Sequence, residues 1–410
     1  MRTTEALGER KVVLENKLLR RGAVVFFKDG PYLPLTENWI HGQAAHLLRY
    51  EPTVYCFGVM NQNFFPIARI QSIEPREVGR LGAMINKLGN RLGWLPYFSR
   101  RMKHDRPTLI HAHFGPAGYR ALPLKRRYKI PMITTFYGSD MSKLPRQKPW
   151  WKARYQRLFA EGERFLVEGA HMKQCLIDLG CPEQRVTVNH LGINAQKIPF
   201  KARRFNEEAG ARILIACSFR EKKGIPWAIE AFGRVRQAHP SQRLSLTLLG
   251  DATPVKSDQR EKQRILAMIK RYRLEDSIRL LGYQPHSVFI EQLYQHDIFL
   301  SPSVTAVDGD TEGGVPVSII EASASGMPIV SSTHCDIPEV VMDRTTGFLA
   351  PERDVEALTA KLEAAIMHPE RWELMGEKAR THIEHAYDLG TQTARLEQIY
   401  DEVQEPVDYS

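Results

Sequence analysis

Short apolar, β-branched runs of strand length alternate along the chain with polar or amphipathic stretches of helix length. In the first half the runs fall at residues 23–27, 54–59, 109–114, 132–136, 165–168 and 186–190; in the second, at 213–219, 244–249, 278–281, 298–301 and 329–332. Such runs suit strands buried on both faces, so the pattern predicts parallel sheets sandwiched between helices. Behind Asp354, a good N-cap, Leu358, Leu362, Ala365 and Ile366 recur at helical spacing, and a further amphipathic helix is predicted over 393–403. The stretch 195–210 has no period and mixes charges, which places a linker there. In doubly wound sheets ligands sit at the carboxyl ends of strands, so the residues just after each strand are where chemistry is sought.

A length of 410 residues exceeds one ordinary α/β core, and two domains are expected, residues 1–200 and 201–390, with 391–410 a terminal helix returning toward the first. At 43% hydrophobic and 25% charged the composition is that of a folded globular chain, and no apolar run is long enough to span a bilayer. Arg2, Glu5, Glu9, Arg10 and Lys11 leave no apolar signal-peptide region. The five cysteines are scattered without metal-ligand spacing, as reduced thiols of a cytoplasmic protein would be. Charge divides unevenly. Residues 1–205 carry 35 Lys and Arg against 15 acids, and the remainder 22 against 32. The first half should therefore seek an anionic partner.

The richest segment follows the strand ending at Ser301. It reads D-G-D-T-E-G-G-V-P-V-S-I-I-E-A-S-A-S-G-M-P over 308–328. Pro316 suits a first helical turn, with Val317, Ile320 and Ala324 on one helix face. Gly313 and Gly314 leave the amides at the helix start open to a phosphate, which the helix dipole also favours. Glu321, one turn inside, can accept hydrogen bonds from two vicinal hydroxyls such as a ribose offers. Asp308-Gly309-Asp310 has the form of a metal-binding D-x-D, but the Gly-rich helix start makes a solvated acidic loop the simpler reading. Upstream, Arg220-Glu221-Lys222-Lys223-Gly224 places cations at another strand end, where a diphosphate would need them.

This segment resembles the retaining glycosyltransferases of family 4, whose signature is a Glu, then Gly and Pro, then a second Glu eight positions on, followed by Ala and Gly-x-Pro. Here Glu312 and Glu321 stand nine apart, an extra glycine lengthening the loop. The resemblance implies the GT-B fold: two Rossmann-like, doubly wound α/β domains facing across a cleft. It implies that Glu312 approaches the transferred sugar, that Gly313, Gly314 and Val315 offer amides to sugar or diphosphate, and that Glu321 holds the ribose. Lys223-Gly224 matches the family's G-R-L-x-x-x-K-G. Ser218 stands where that motif has Arg, so a second cation would come from Arg220 or Lys222. The backbone near Tyr283 would read the base. In the first domain His111-Ala112-His113-Phe114 and Tyr137-Gly138-Ser139-Asp140 resemble cleft-lining motifs, with Tyr137 in place of the usual His; the resemblance makes His113 and Tyr137, with Glu312, the candidate catalytic residues, and Glu37 and Asn38 would face the acceptor. His111 and His113 point to one side of their strand, but no third ligand suggests zinc.

The expected activity is transfer of a hexosyl group from a nucleotide-diphosphate sugar, UDP favoured over GDP. The acceptor would be a lipid-linked saccharide in surface polysaccharide biosynthesis. Metal independence is implied. Two basic stretches with aromatics, 87–106 and 143–157, suit an anionic membrane surface at the inner face of the membrane better than nucleic acid, for which no recognition signature is present. The rival readings are a GT-B sugar-nucleotide epimerase and a non-enzymatic basic binder. A dehydrogenase would need G-x-G-x-x-G after the first strand, where Phe27-Lys28-Asp29-Gly30-Pro31 stands instead.

Overall fold

A computed structural model describes residues 22–34, 37–91 and 95–405. The N-terminal charged residues, Leu35, Thr36, Trp94 and residues 406–410 lie outside them. The chain divides into two compact units. The first takes the chain up to Val167, then Lys173–Gly192, and again from Leu389 onward; the second takes Glu168–Met172 and Ile193–Asp388.

In the first unit the strands are β1 (Gly22–Lys28), β2 (Pro31–Tyr32), β3 (Tyr50–Cys56), β4 (Gly58–Val59), β5 (Ile70–Ser72), β6 (Leu109–His113), β7 (Met132–Thr135), β8 (Arg164–Val167) and β9 (Val186–Val188). Seven of them form a parallel sheet in the order β5-β3-β1-β6-β7-β8-β9, and β2 pairs with β4 in a small ladder beside it. The second unit holds β10 (Ala211–Ala216), β11 (Leu244–Leu249), β12 (Ile278–Gly282), β13 (Ile298–Ser301), β14 (Ile329–Ser332) and β15 (Gly347–Ala350), all parallel, in the order β12-β11-β10-β13-β14-β15. Both sheets run outward from their first strand and then reverse. The doubly wound fold expected from the sequence is present twice. Each has its topological switch point beside its first strand, between β1 and β6 and between β10 and β13.

Alternation along β10 shows why its run is apolar throughout. Ile213 and Ile215 pack on one face with Ile225, Phe232 and Trp372, while Leu214 and Ala216 pack on the other with Ile319, Ile320 and Tyr387. Truncating a fully buried ring such as Phe232 would cost about 3–5 kcal/mol.

The stretch 195–210 has little regular structure, but it is not loose. Arg203 is 3% exposed and donates to the carbonyls of Ser325 (2.9 Å) and His296 (3.2 Å), at the ends of the helices Val317–Ala324 and His286–Gln295. A guanidinium there supplies the cation that helix C-termini favour. The chain passes from one unit to the other at Gly192 and Ile193. The terminal helix Leu389–Gln404 belongs to the first unit. Its Tyr400 hydroxyl meets His111 Nδ1 at 2.6 Å, Asp401 accepts from Tyr50 (2.7 Å), and Glu397 accepts the N–H groups of Leu48 (2.8 Å) and Arg49 (2.7 Å).

Candidate active site

In the second unit, two loops leave the switch point and lock together. After β10 the chain makes a short 3-10 turn, Glu221–Lys223, and Gly224 then starts the helix Ile225–Ala238. Gly224 has φ +67°, and a Cβ on it would lie 1.8 Å from the carbonyl oxygen of Pro302, so only glycine lets the β10 and β13 loops approach this closely. Val304 N–H donates to the Lys222 carbonyl at 2.8 Å across the same seam.

The side chains complete this seam. Lys223 Nζ stands 2.8 and 2.9 Å from the two carboxylate oxygens of Glu312, Lys222 Nζ is 3.3 Å away, and Ser303 Oγ donates at 2.8 Å. Lys222 also donates to Thr311 O at 2.7 Å. Burial alone would raise the Glu312 carboxyl, but Lys223 and Lys222 outweigh it and hold the group far below the usual carboxylate range. Glu312 is thus a permanent buried anion. Arg220 pairs with Asp310, and Lys222 reaches the same carboxylate at 3.6 Å. Asp310 is 3% exposed, which corrects the reading of a solvated acidic loop at that residue, while Asp308 is exposed as expected. Among the described residues no cluster of three or more His, Cys, Asp or Glu could hold a metal ion.

Gly313 has φ +78°, and a Cβ on Gly314 would sit 1.9 Å from the Glu168 carboxylate, so dihedral favours glycine at the first position and space at the second. The helix runs Val317–Ala324 with Pro316 as its N-cap, so it starts one position later than the sequence suggested. Val315 turns into the core. Glu321 is 8% exposed, and one of its oxygens is bonded to His286 Nε2 at 2.8 Å. That bond raises the His286 pKa. Ser218 lies in the loop after β10, its carbonyl accepting from Arg220 N–H (2.9 Å), and Tyr283 is exposed just beyond β12.

Sequence reading missed the support behind Glu312. The Glu312 N–H donates to His334 Nε2 (3.1 Å), so the ring proton belongs on Nδ1, where Glu352 Oε1 lies at 2.6 Å. His334 follows β14, and the strand-end rule applied to that strand would have found it. The partner of Glu321, His286, has no such signal.

In the first unit the switch point brings Lys28, at the end of β1, into register with His113, at the end of β6. Lys28 pairs with Glu37 and lies 4.8 Å over the Phe114 ring. Asn38 opens the helix Asn38–His46 beside them. His113 Nδ1 bonds the Tyr137 hydroxyl at 2.7 Å with the two rings stacked, and Trp39 packs on Tyr137 at 5.7 Å. His113 Nε2 is buried without a hydrogen-bond partner. His111, in contrast, is fully satisfied by Tyr400 and by Thr135 Oγ1 (2.7 Å). Burial depresses the pKa of both rings, His111 to about 3 and His113 well below the usual value, so both are neutral. Asp140 accepts from the N–H groups of Gly115 (2.8 Å) and Tyr137 (3.1 Å), fixing the turns that carry His113 and Tyr137.

The profile of glycosyl transferases group 1 matches residues 197–382, and that of glycosyltransferase family 4 matches residues 36–197. The amylovoran biosynthesis glycosyltransferase AmsK of Erwinia amylovora is 35% identical over 70% of this chain and 67% of its own. The chain belongs to glycosyltransferase family 4. A second relative, the putative colanic acid biosynthesis glycosyltransferase WcaL of Escherichia coli, is 33% identical over 69% of this chain and 68% of its own. Among solved structures, Anabaena HepE in complex with UDP covers 93% of this chain and all of its own at a TM-score of 0.72 and 14% identity, a likeness of fold alone. The family 4 assignment makes this chain a GT-B glycosyltransferase.

Proposed function

We propose that this glycosyltransferase moves a hexosyl group, with retention of anomeric configuration, from a nucleotide-diphosphate sugar to a saccharide acceptor in the synthesis of a surface polysaccharide. The observation that carries the reading is the Lys222–Lys223–Glu312 cluster at the second switch point, directly ahead of the helix bearing Glu321. Lys223 supplies a point charge for the leaving diphosphate, Gly313 and Gly314 leave the helix start open to it, and Glu321 takes the ribose hydroxyls. Glu312 is held ionised with its oxygens taken by two ammonium groups and a hydroxyl. It serves as a fixed negative charge near the sugar, where oxocarbenium character develops, and is poorly suited to covalent attack or proton transfer. This favours front-face attack, with the donor phosphate taking the acceptor's proton. The lysines and amides meet the diphosphate charge without a metal ion.

UDP is the favoured nucleotide, since HepE, of the same fold, has been solved with UDP and with UDP-glucose. The names of AmsK and WcaL favour an exopolysaccharide pathway. The five cysteines, none of them in a disulfide, suit the cytoplasm, and the basic stretches 87–106 and 143–157 suit the inner face of an anionic membrane, where a lipid-linked acceptor would be met. No helix among the described residues is long and apolar enough to cross a membrane.

Calorimetric titration of UDP, GDP and ADP into the protein and into Glu321→Ala, with and without EDTA, tests the donor side. Tight binding of one nucleotide, indifferent to EDTA and weakened in the variant, is the expected result. Absence of binding by a folded protein would remove the phosphate-site assignment.

A further inference from the structure

The helix Pro75–Arg91 is turned inside out. Gly79 breaks it with φ +72° and ψ 163°, and the continuous part begins at Arg80. From there Leu81, Met84, Ile85 and Leu88 recur at i, i+3, i+4 and i+7, the spacing that ordinarily marks the face a helix buries. Here that face is the exposed one: the four side chains are 66%, 62%, 41% and 58% accessible. The opposite face, Gly82, Asn86 and Gly89, is the one against the protein. Asn86 is buried, its amide donating to Gly82 O (2.8 Å) and its carbonyl oxygen accepting the Tyr97 N–H (3.1 Å) at the start of the next helix, Pro96–Asp105.

A single exposed leucine needs no explanation, but a continuous stripe of four on one helix does. Charge decides what covers it. Residues 76–106 contain eight Lys and Arg against two acids, and Arg76, Arg80, Arg100, Lys103 and Arg106 are all exposed. An apolar stripe set among cations is complementary to acyl chains beneath anionic headgroups. It is a poor match to a second copy of the same face, which would bring like charges together.

We propose that the face formed by Leu81, Met84, Ile85 and Leu88 inserts into the interface of an anionic bilayer and lies in its plane. This rests on the membrane-docking reading given above and adds an apolar component to it. Attraction through basic residues alone is screened by salt within about 10 Å, whereas buried apolar area is not. The two contributions can therefore be separated.

The test is co-sedimentation of the full chain with vesicles of phosphatidylglycerol and phosphatidylethanolamine, at low and at raised salt. Three proteins are compared: wild type, Leu81→Gln with Leu88→Gln, which removes apolar area without changing charge, and Arg146→Glu with Lys148→Glu in the other basic stretch. All four substituted positions are exposed or solvent-facing, and thermal melting and nucleotide titration confirm that each variant is folded. Wild type is expected to retain measurable binding at raised salt. The Leu81/Leu88 variant should bind at least about tenfold more weakly at low salt and lose binding at raised salt. If that variant bound as wild type while the Arg146/Lys148 variant did not, docking would be electrostatic and the insertion face would be refuted. Failure of wild type to bind any vesicle would overturn the docking reading itself. Wild type that is dimeric by light scattering without vesicles, and monomeric once Leu81 and Leu88 are Gln, would show that a second copy covers the face and would also overturn the proposal.

Discussion

The two units bury a carboxylate near their respective switch points, and the two groups are shifted in opposite directions. Glu312, in the second unit, is surrounded by full charges: two lysines overcome its burial and keep it ionised. Asp140, in the first, has only dipoles. Burial raises its pKa to about 6 in spite of the N–H groups of Gly115 and Tyr137. The rest of each site follows suit. The second is a lattice of ion pairs, Arg220–Asp310 among them, and the first is made chiefly of neutral histidines and stacked rings beside the Lys28–Glu37 pair. A diphosphate leaving group calls for fixed opposite charge, whereas a sugar hydroxyl calls for neutral hydrogen-bonding groups and aromatic faces.

The largest expected effect breaks the charged side. Glu312→Ala should lower the turnover number about 10³-fold while leaving nucleotide binding intact or tighter, because it frees Lys223; donor-consumption kinetics beside calorimetry separate the two. Lys223→Ala should instead weaken both. An equal loss of nucleotide affinity in the two variants would contradict the division of roles. Next comes Glu321→Ala, expected to weaken nucleotide binding about tenfold to a hundredfold with a smaller change in turnover.

The neutral side is probed through stability. Asp140→Ala strands two buried N–H groups and should cost about 3 kcal/mol in denaturant titration of the first unit's transition. The pH dependence has a definite sign. Below about pH 4 the Asp140 carboxyl is protonated in both folded and unfolded chains. As pH rises toward 6 the unfolded chain has released its proton and the folded one has not, so this group's contribution is lost through that window, by up to about 3 kcal/mol. Glu312 acts the other way: its contribution is present above the ordinary carboxylate range and is lost as pH falls below it. Asp140→Asn should flatten the first dependence and leave the second. The smallest effect is kinetic. Tyr137→Phe removes the hydroxyl bonded to His113 and should cost tenfold or less, and because His113 is neutral, no inflection between about pH 5 and 8 should disappear with it.

Both sheets were legible in the sequence because their central strands are buried on two faces and read as unbroken apolar runs. Of the strands that were missed, β5 and β15 lie at the sheet edges, and β2, two residues long, lies in the small ladder beside the first sheet. The Glu312–Glu321 segment and Lys223-Gly224 were visible because glycines and charges crowd a strand end. What holds them was not: His286 lies 35 positions from Glu321, and His334 lies 22 from Glu312. The apolar period over 81–88 is plain in the sequence, but periodicity says only that a helix has two faces. Packing decides which one meets solvent.

The helix Leu389–Gln404 completes the first unit through Tyr400, Asp401 and Glu397. During translation the strands that it closes over emerge early, and the helix itself emerges only after the whole of the second unit. A nascent chain therefore finishes its second unit before its first. Until then Tyr50 and the ring of His111 wait, on a partly built sheet, for partners more than 280 residues downstream.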